Sequence, residues 1–312
     1  MLRKAFLLAA LLLTAGTAQA MVPGEREVSR TVTFGGSCAG CEFSGKKLQD
    51  AKFRGGNFAG AVLVGADLRG AELMGAQFAR ADFSRADLRG ATLHGSNFAS
   101  ANLSRALMEG LESVGVNFAA ANFTGARARG AELKATNLSG AVLNRADLRS
   151  AEFHGANLSG VRAQMTNFEG ADFTGANMKG MVLDRADLRA ADMTGANLNG
   201  AAFAGSDLRQ ADFSRANLRG ADLSRARNLT QDQIDEACTD GSTALPPGLR
   251  AAGNCGSRVV HRGRAITVND DGQRVVIVTG PDGKIHVTTH GVMIKGPRPP
   301  APPAPPRPAP RP

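Results

Sequence analysis

The chain contains no tryptophan and no tyrosine. Exposed aromatic rings are the platforms on which single-stranded nucleic-acid binders stack bases, so that mode of binding is excluded. Cysteine is scarce, with four residues in 312. The apolar run from Ala5 to Leu13 is too short to span a bilayer, and no membrane-spanning segment is expected. No Ser-His-Asp set, glycine-rich phosphate loop or closed metal site can be assembled from the residues present. The sequence therefore implies no catalytic residue, no cofactor and no metal, and any function has to rest on a surface.

What the sequence does have is repetition. From Cys41 to Arg225 it repeats a five-residue unit without insertion or deletion, thirty-seven times, with an apolar residue at each centre: Phe43, Leu48, Phe53, Phe58, Leu63 and onward to Leu223. Two positions before each centre stands a small residue, most often Ala. A period of five fits neither the helix nor the strand, so it belongs to a coil whose side is one repeat long. Ala-Asp-Leu-Arg recurs at Ala66, Ala86, Ala146 and Ala186, with Ser-Asp-Leu-Arg at Ser206, always at multiples of twenty residues. Four units thus make one turn. Stacked at strand spacing, about nine coils of roughly 4.8 Å give a rod roughly 44 Å long.

Ala-Asp-Leu-Arg-Gly and Ala-Asn-Leu-Ser-Gly resemble the motifs of the pentapeptide-repeat proteins. The resemblance implies an all-β fold, a right-handed quadrilateral β-helix, with the centre and the small residue two before it pointing inward. Of fifteen Phe, all but Phe6 and Phe34 occupy inward centres. Ser113, Ala128 and Ala163 under-fill theirs, and a void, bend or widened coil is expected at Ser113. Family members that protect a DNA topoisomerase are acidic cytoplasmic mimics of duplex DNA. This chain carries a formal charge of +9, reads as exported, and takes over none of that function; no nucleic-acid partner is expected.

Around the rod the chain divides as follows. Residues 1–20 read as a signal peptide, with Arg3 and Lys4, the apolar run and Ala18-Gln19-Ala20 as cleavage site, which implies a periplasmic or secreted protein. Residues 21–40 lead in, and Val28 to Phe34 is expected to form an edge strand over the first coil. Cys38 would sit at a centre and Cys41 at the next small inward position. Ends of a β-turn lie within about 7 Å at Cα, near the upper limit for a disulfide. A redox pair and a metal half-site are the alternatives for this Cys-x-x-Cys. Cys238 and Cys255 are the other disulfide candidates, with local pairing favoured. Residues 226–256 hold a capping helix that Thr230 and Gln233 open as a capping box and that runs to about Cys238. This segment looks like the tail that often follows the repeats in bacterial members of the family.

Residues 257–295 read as a small β-meander of three strands, Val259 to Val268, Arg274 to Thr279 and Ile285 to Ile294, too small to bury its own core. It either docks on the rod or pairs with a second copy, which would give a homodimer. Of its three histidines, His286 and His290 lie roughly 13 Å apart on a strand, too far to share a metal. Residues 296–312 are a proline-rich basic tail.

Two outward columns are candidate interaction surfaces. Glu72, Glu112, Glu132, Glu152, Asp172, Asp192 and Asp212 form an acidic strip with few Lys or Arg neighbours. Arg127 and Arg129 stand where the Asp column of another face is interrupted. The leading expectation is a non-enzymatic exported scaffold that binds an unidentified protein or other envelope partner on a flat face. The alternatives are a thiol redox protein using Cys38 and Cys41, and an anion or glycan binder at Arg127 and Arg129.

Overall fold

The computed structural model describes residues 33–253 and three further strands, Ile266–Asp270, Gln273–Thr279 and Ile285–Thr289. The expected signal peptide, most of the lead-in, Cys255, His261, His290 and the proline-rich tail lie outside the described residues.

Residues 41–225 form a right-handed quadrilateral β-helix. Parallel bridges join each outward residue to the one twenty positions on, as in Asn97–Asn117–Asn137 and Asp67–Asp87–Leu107. The unit beginning at Asn97 shows how the backbone is satisfied. Phe98 N–H donates to Asn117 O at 2.7 Å and Ser100 N–H to Ala119 O at 2.8 Å, one coil away. Ala101 N–H closes the corner on Phe98 O at 3.0 Å, and Asn102 N–H donates to Ala81 O at 2.9 Å. The remaining donor, Ala99 N–H, is taken by the side-chain Oδ1 of Asn97 at 3.1 Å. Asp or Asn before the centre therefore has a structural cause: it captures the one N–H that no carbonyl reaches.

The corners need a left-handed residue two after each centre, which is why glycine is so frequent there. Gly65 has φ +62°. Arg85 adopts φ 59° at the same corner one coil on, at a cost of about 1 kcal/mol.

The interior is mostly apolar, with a few buried hydroxyls such as Ser96, Thr136 and Ser206. Phe58, Phe78 and Phe98 stack with centroids 5.1 Å apart, and Phe118 follows at 5.4 Å. Ser113 does not break the coil, although the expected bend is there: Val114 and Gly115 form a bend where the neighbouring corners form turns. Its buried hydroxyl donates to Glu132 O at 2.9 Å, and the Thr92–Glu112–Glu132 bridges keep the twenty-residue step. A small polar side chain is tolerated because a carbonyl lies within its reach.

The ends depart from the expectation in three ways. First, Phe34 is an inward residue. Strand β1 (Thr33–Phe34) pairs in parallel with β2 (Lys52–Phe53), nineteen rather than twenty residues on, and the Phe34 ring stacks on Phe53 at 4.6 Å. Second, helix α1 spans only Gln231–Asp235. Thr230 and Gln233 form the capping box, and Ile234 is buried at the end of the core. Third, the coil outlasts Arg225: Arg227 bridges Asp207, Cys238 bridges Asn217 and Ala244 bridges Asp222. Cys238 thus lies on a coil edge and not in the helix.

Strands β3 (Ile266–Asp270), β4 (Gln273–Thr279) and β5 (Ile285–Thr289) form an antiparallel sheet in the order β3-β4-β5. Asp270 pairs with Gln273, so the first strand runs past its expected end at Val268 to take in Asn269 and Asp270.

Candidate interaction faces

The face built on Asp67, Asp87, Asp147 and Asp187 is a lattice of local ion pairs. In each, the arginine two positions on grips the carboxylate with two nitrogens: Arg89 Nε donates to Asp87 Oδ1 at 2.8 Å and Nη2 to Oδ2 at 2.6 Å. Arg69, Arg149 and Arg189 repeat the geometry. The arginine hydrogen bonds hold the Asp67, Asp87 and Asp187 carboxyls below the ordinary value, and Asp147 is lowered to about 2.

Arg129 belongs to this lattice. It reaches one coil up to Asp147 at 3.3 Å, where Arg149 also binds, so the interruption of the Asp column does not leave it free. Arg127 is exposed and makes no ion pair among the described residues. One coil below, Glu109 Oε2 is buried with no hydrogen-bond partner among the described residues. Of the two arginines expected to form an anion patch, Arg129 is thus tied to Asp147, and Arg127 stands directly below that same Asp147 in its own column.

The acidic strip is uneven. Lys52 lies 2.9 Å from Glu72, and Arg54 also pairs with it. Lys134 bridges Glu132 at 3.5 Å and Glu152 at 2.5 Å. Among the described residues Glu112 has only His94, at 4.0 Å. Asp172, Asp192 and Asp212 make no ion pair among the described residues; each accepts instead from the backbone N–H two positions on, at 2.7 to 2.8 Å. The lower half of the strip is thus partly neutralised, contrary to the expectation of few cationic neighbours. Arg54 and Lys134 come from the fourth position of the unit, which the column of second positions does not reveal, whereas Lys52 stands in that column one coil below Glu72. The upper half keeps its charge, and carboxylates about 4.8 Å apart repel by about 1 kcal/mol per neighbouring pair even at the dielectric of water.

On the next face the asparagine side chains, which recur every twenty residues from Asn97 to Asn217, form an amide ladder. Each Asn Nδ2 donates to the Oδ1 one coil below, from Asn117 on Asn97 at 3.1 Å to Asn217 on Asn197 at 3.2 Å, and Asn97 rests on Gln77 at 3.0 Å. Cys238 closes the top, its Sγ 3.8 Å from Asn217 Oδ1.

Cys38 and Cys41 are joined in a disulfide with Cα atoms 5.5 Å apart, across the first corner. Cys41 N–H donates to Cys38 O at 3.2 Å and Cys38 N–H to Asn57 O at 2.8 Å, so the pair is set in the coil's own backbone ladder. Among the described residues no helix N-terminus faces either sulfur, the usual means of lowering a redox thiol's pKa. Cys238 is also disulfide-bonded. Among the described residues no group of three or more His, Cys, Asp or Glu is placed to hold a metal ion, and no helix is long and apolar enough to cross a membrane.

Comparison with known proteins agrees with this architecture. The family model described as Pentapeptide repeats matches in eight copies, over stretches that run from residue 41 to residue 227. No curated protein matches. Among solved structures, HetL of the cyanobacterium Nostoc, a pentapeptide repeat protein involved in heterocyst differentiation regulation, is 30% identical. That match covers 60% of this chain and 89% of HetL, with a TM-score of 0.43. A pentapeptide repeat protein of the Arabidopsis thaliana thylakoid lumen is 32% identical over 34% of this chain and 73% of its own, with a TM-score of 0.33. QnrB1, a plasmid-mediated fluoroquinolone resistance protein, is 19% identical over 68% of this chain and 93% of its own, with a TM-score of 0.28. On the repeat, its geometry and the family match, the chain belongs to the pentapeptide-repeat family.

Proposed function

We propose that the protein is a non-enzymatic, exported scaffold whose flat faces hold a partner. The observation that carries this reading is the segregation of charge on an unbroken rod. One face is neutralised by its own ion pairs, whereas the upper half of the adjoining face stacks Asp172, Asp192 and Asp212 with no ion pair among the described residues. Leaving repulsion uncompensated on a stable rod makes sense where a basic partner supplies the missing charge. The leader-like residues 1–20 support export, and with it a partner in the periplasm or outside the cell.

Photo-crosslinkers placed at Thr174 and Thr194, flanking the Asp stack, test the reading in cells. The expected result is a discrete crosslinked protein of basic composition, lost when Asp172, Asp192 and Asp212 are changed together to Asn. Crosslinking that ignores those changes would overturn it.

A further inference from the structure

Arginines of a second kind line the corner between the face of Asn102 and Asn122 and the ion-paired face. From Arg105 upward the corner residue alternates coil by coil: Arg105, Gly125, Arg145, Met165, Arg185, Gly205. The arginines occupy the left-handed corner position, with φ of 58°, 59° and 56°, and all three are exposed. Among the described residues none makes a side-chain hydrogen bond or an ion pair, whereas the arginines of the neighbouring face are gripped by aspartate.

Two of these side chains are nonetheless placed. Arg105 Cγ lies 3.6 Å, and Arg185 Cγ 3.5 Å, from where a Cβ would stand on Gly125 and Gly205, so each stem runs along the rod over the glycine of the next coil. Gly125 and Gly205 are half-buried beneath them, while Gly65 in the same column is exposed. A stem already laid against the surface loses less entropy when its guanidinium binds.

Beside the lower arginines runs a groove of about 500 Å³, lined by Ser84, Ser104, Thr124, Asn102 and Asn122, with Arg85 and Arg105 on its rim. Hydroxyls and amides of this kind hydrogen-bond to sugar hydroxyls. The acid at its foot, Asp82, is occupied by Ser84 N–H at 2.8 Å and Asn102 Nδ2 at 3.0 Å.

We propose that this corner binds a linear acidic polysaccharide with one carboxylate per disaccharide. Arg85, one coil below Arg105, stands outside the alternation; from Arg105 to Arg185 the cations stand on every second coil and recur at about 9.6 Å. A pyranose ring is about as long as a coil is high, so alternate rings bring their carboxylates to successive arginines. The exposed Met165 offers an apolar contact to the ring between Arg145 and Arg185. A phosphodiester chain carries a charge on every unit and does not match the alternation. This inference stands independently of the partner proposed for the acidic face.

The test uses the purified full chain and a fluorescent hyaluronan decasaccharide, read by anisotropy at low salt, with a chitin oligosaccharide as neutral control and poly(glycerol phosphate) as phosphodiester control. Hyaluronan is expected to bind, more weakly as salt rises, and chitin not to bind. Replacing Arg105, Arg145 and Arg185 together by Gln should weaken binding about 30-fold, at about threefold per exposed charge contact, with the melting temperature unchanged. The corresponding Lys variant should retain most of the affinity, and Arg69→Gln with Arg89→Gln should leave it intact. Equal binding of hyaluronan and chitin, an unaffected Gln variant, or tighter binding of poly(glycerol phosphate) would each overturn the assignment.

Discussion

The ring of Phe34 lies on that of Phe53 at 4.6 Å and 15°, although the strands that carry them pair nineteen residues apart in a rod that otherwise steps by twenty. Gly35 and Gly36 make up the missing residue, Gly36 with φ +79°, and the aromatic core is thereby closed at its N-terminal end. Phe34→Ala should cost about 2 to 3 kcal/mol, less than a fully buried Phe because Phe34 is only half-buried. Denaturant unfolding would show it as a lower midpoint, with hydrogen exchange at Phe53 and Phe58 rising first.

Asn157 sits inside the amide ladder. Its Nδ2 donates to Asn137 at 3.2 Å, and its Oδ1 accepts from Asn177 at 3.1 Å and from Ser159 N–H at 3.2 Å. Asn157→Ala leaves three partners unmet and should destabilise by about 1 to 3 kcal/mol. Asn157→Asp keeps both acceptor roles and loses only the donor, so it should fall between wild type and Ala in thermal melts above pH 5.

Asp147 binds Arg149 at 2.7 Å and Arg129 at 3.3 Å, and its folded-state value of about 2 lies below the ordinary 3.8. A depressed carboxyl contributes stability that is fully present above its unfolded value and is lost as pH falls through the folded one. Asp147→Asn should therefore be less stable than wild type at pH 7, by about 1 kcal/mol after allowance for solvent screening. That gap should close between pH 4 and pH 2, and a gap that persists at pH 2 would show that the pair contributes through packing and not through charge.

Gln233 has two tasks. Its Oε1 accepts from the N-cap Thr230 N–H at 2.9 Å, and its Nε2 donates to Leu208 O at 2.9 Å and Ala211 O at 2.7 Å on the last coil. Gln233→Ala removes both and should cost about 1 to 2 kcal/mol. Amide exchange should accelerate at Ala211 and Phe213, and Phe98 in mid-rod should be unaffected.

The core was legible in the sequence because burial here is a one-dimensional code: every inward centre from Phe53 to Leu223 follows from a count of five. What the count could not give is whatever crosses its own rule. Phe34 falls out of register by one residue, and only the paired strands reveal that two glycines absorb the slip. Lys134 was invisible to a column drawn through Glu132 and Glu152, because it reaches both from a different position in the unit. Arg129 likewise pairs with an aspartate eighteen residues on, a separation that reflects coil geometry and not sequence neighbourhood. The short helix was marked by Thr230 and Gln233, but its end at Asp235 was not, because Cys238 returns to the ladder through contacts with Asn217.

The amide ladder has a direction. Every asparagine from Asn117 to Asn217 gives its proton to the coil made before it, and none in the series needs a coil made later. A partly synthesised rod therefore ends in amide oxygens that already hold the N–H two positions on and still have a lone pair to offer. The next twenty residues to emerge bring the matching donor. The side-chain ladder thus has the polarity that layer-by-layer assembly from the N-terminus requires, the order in which a chain threaded across a membrane N-terminus first would present its coils.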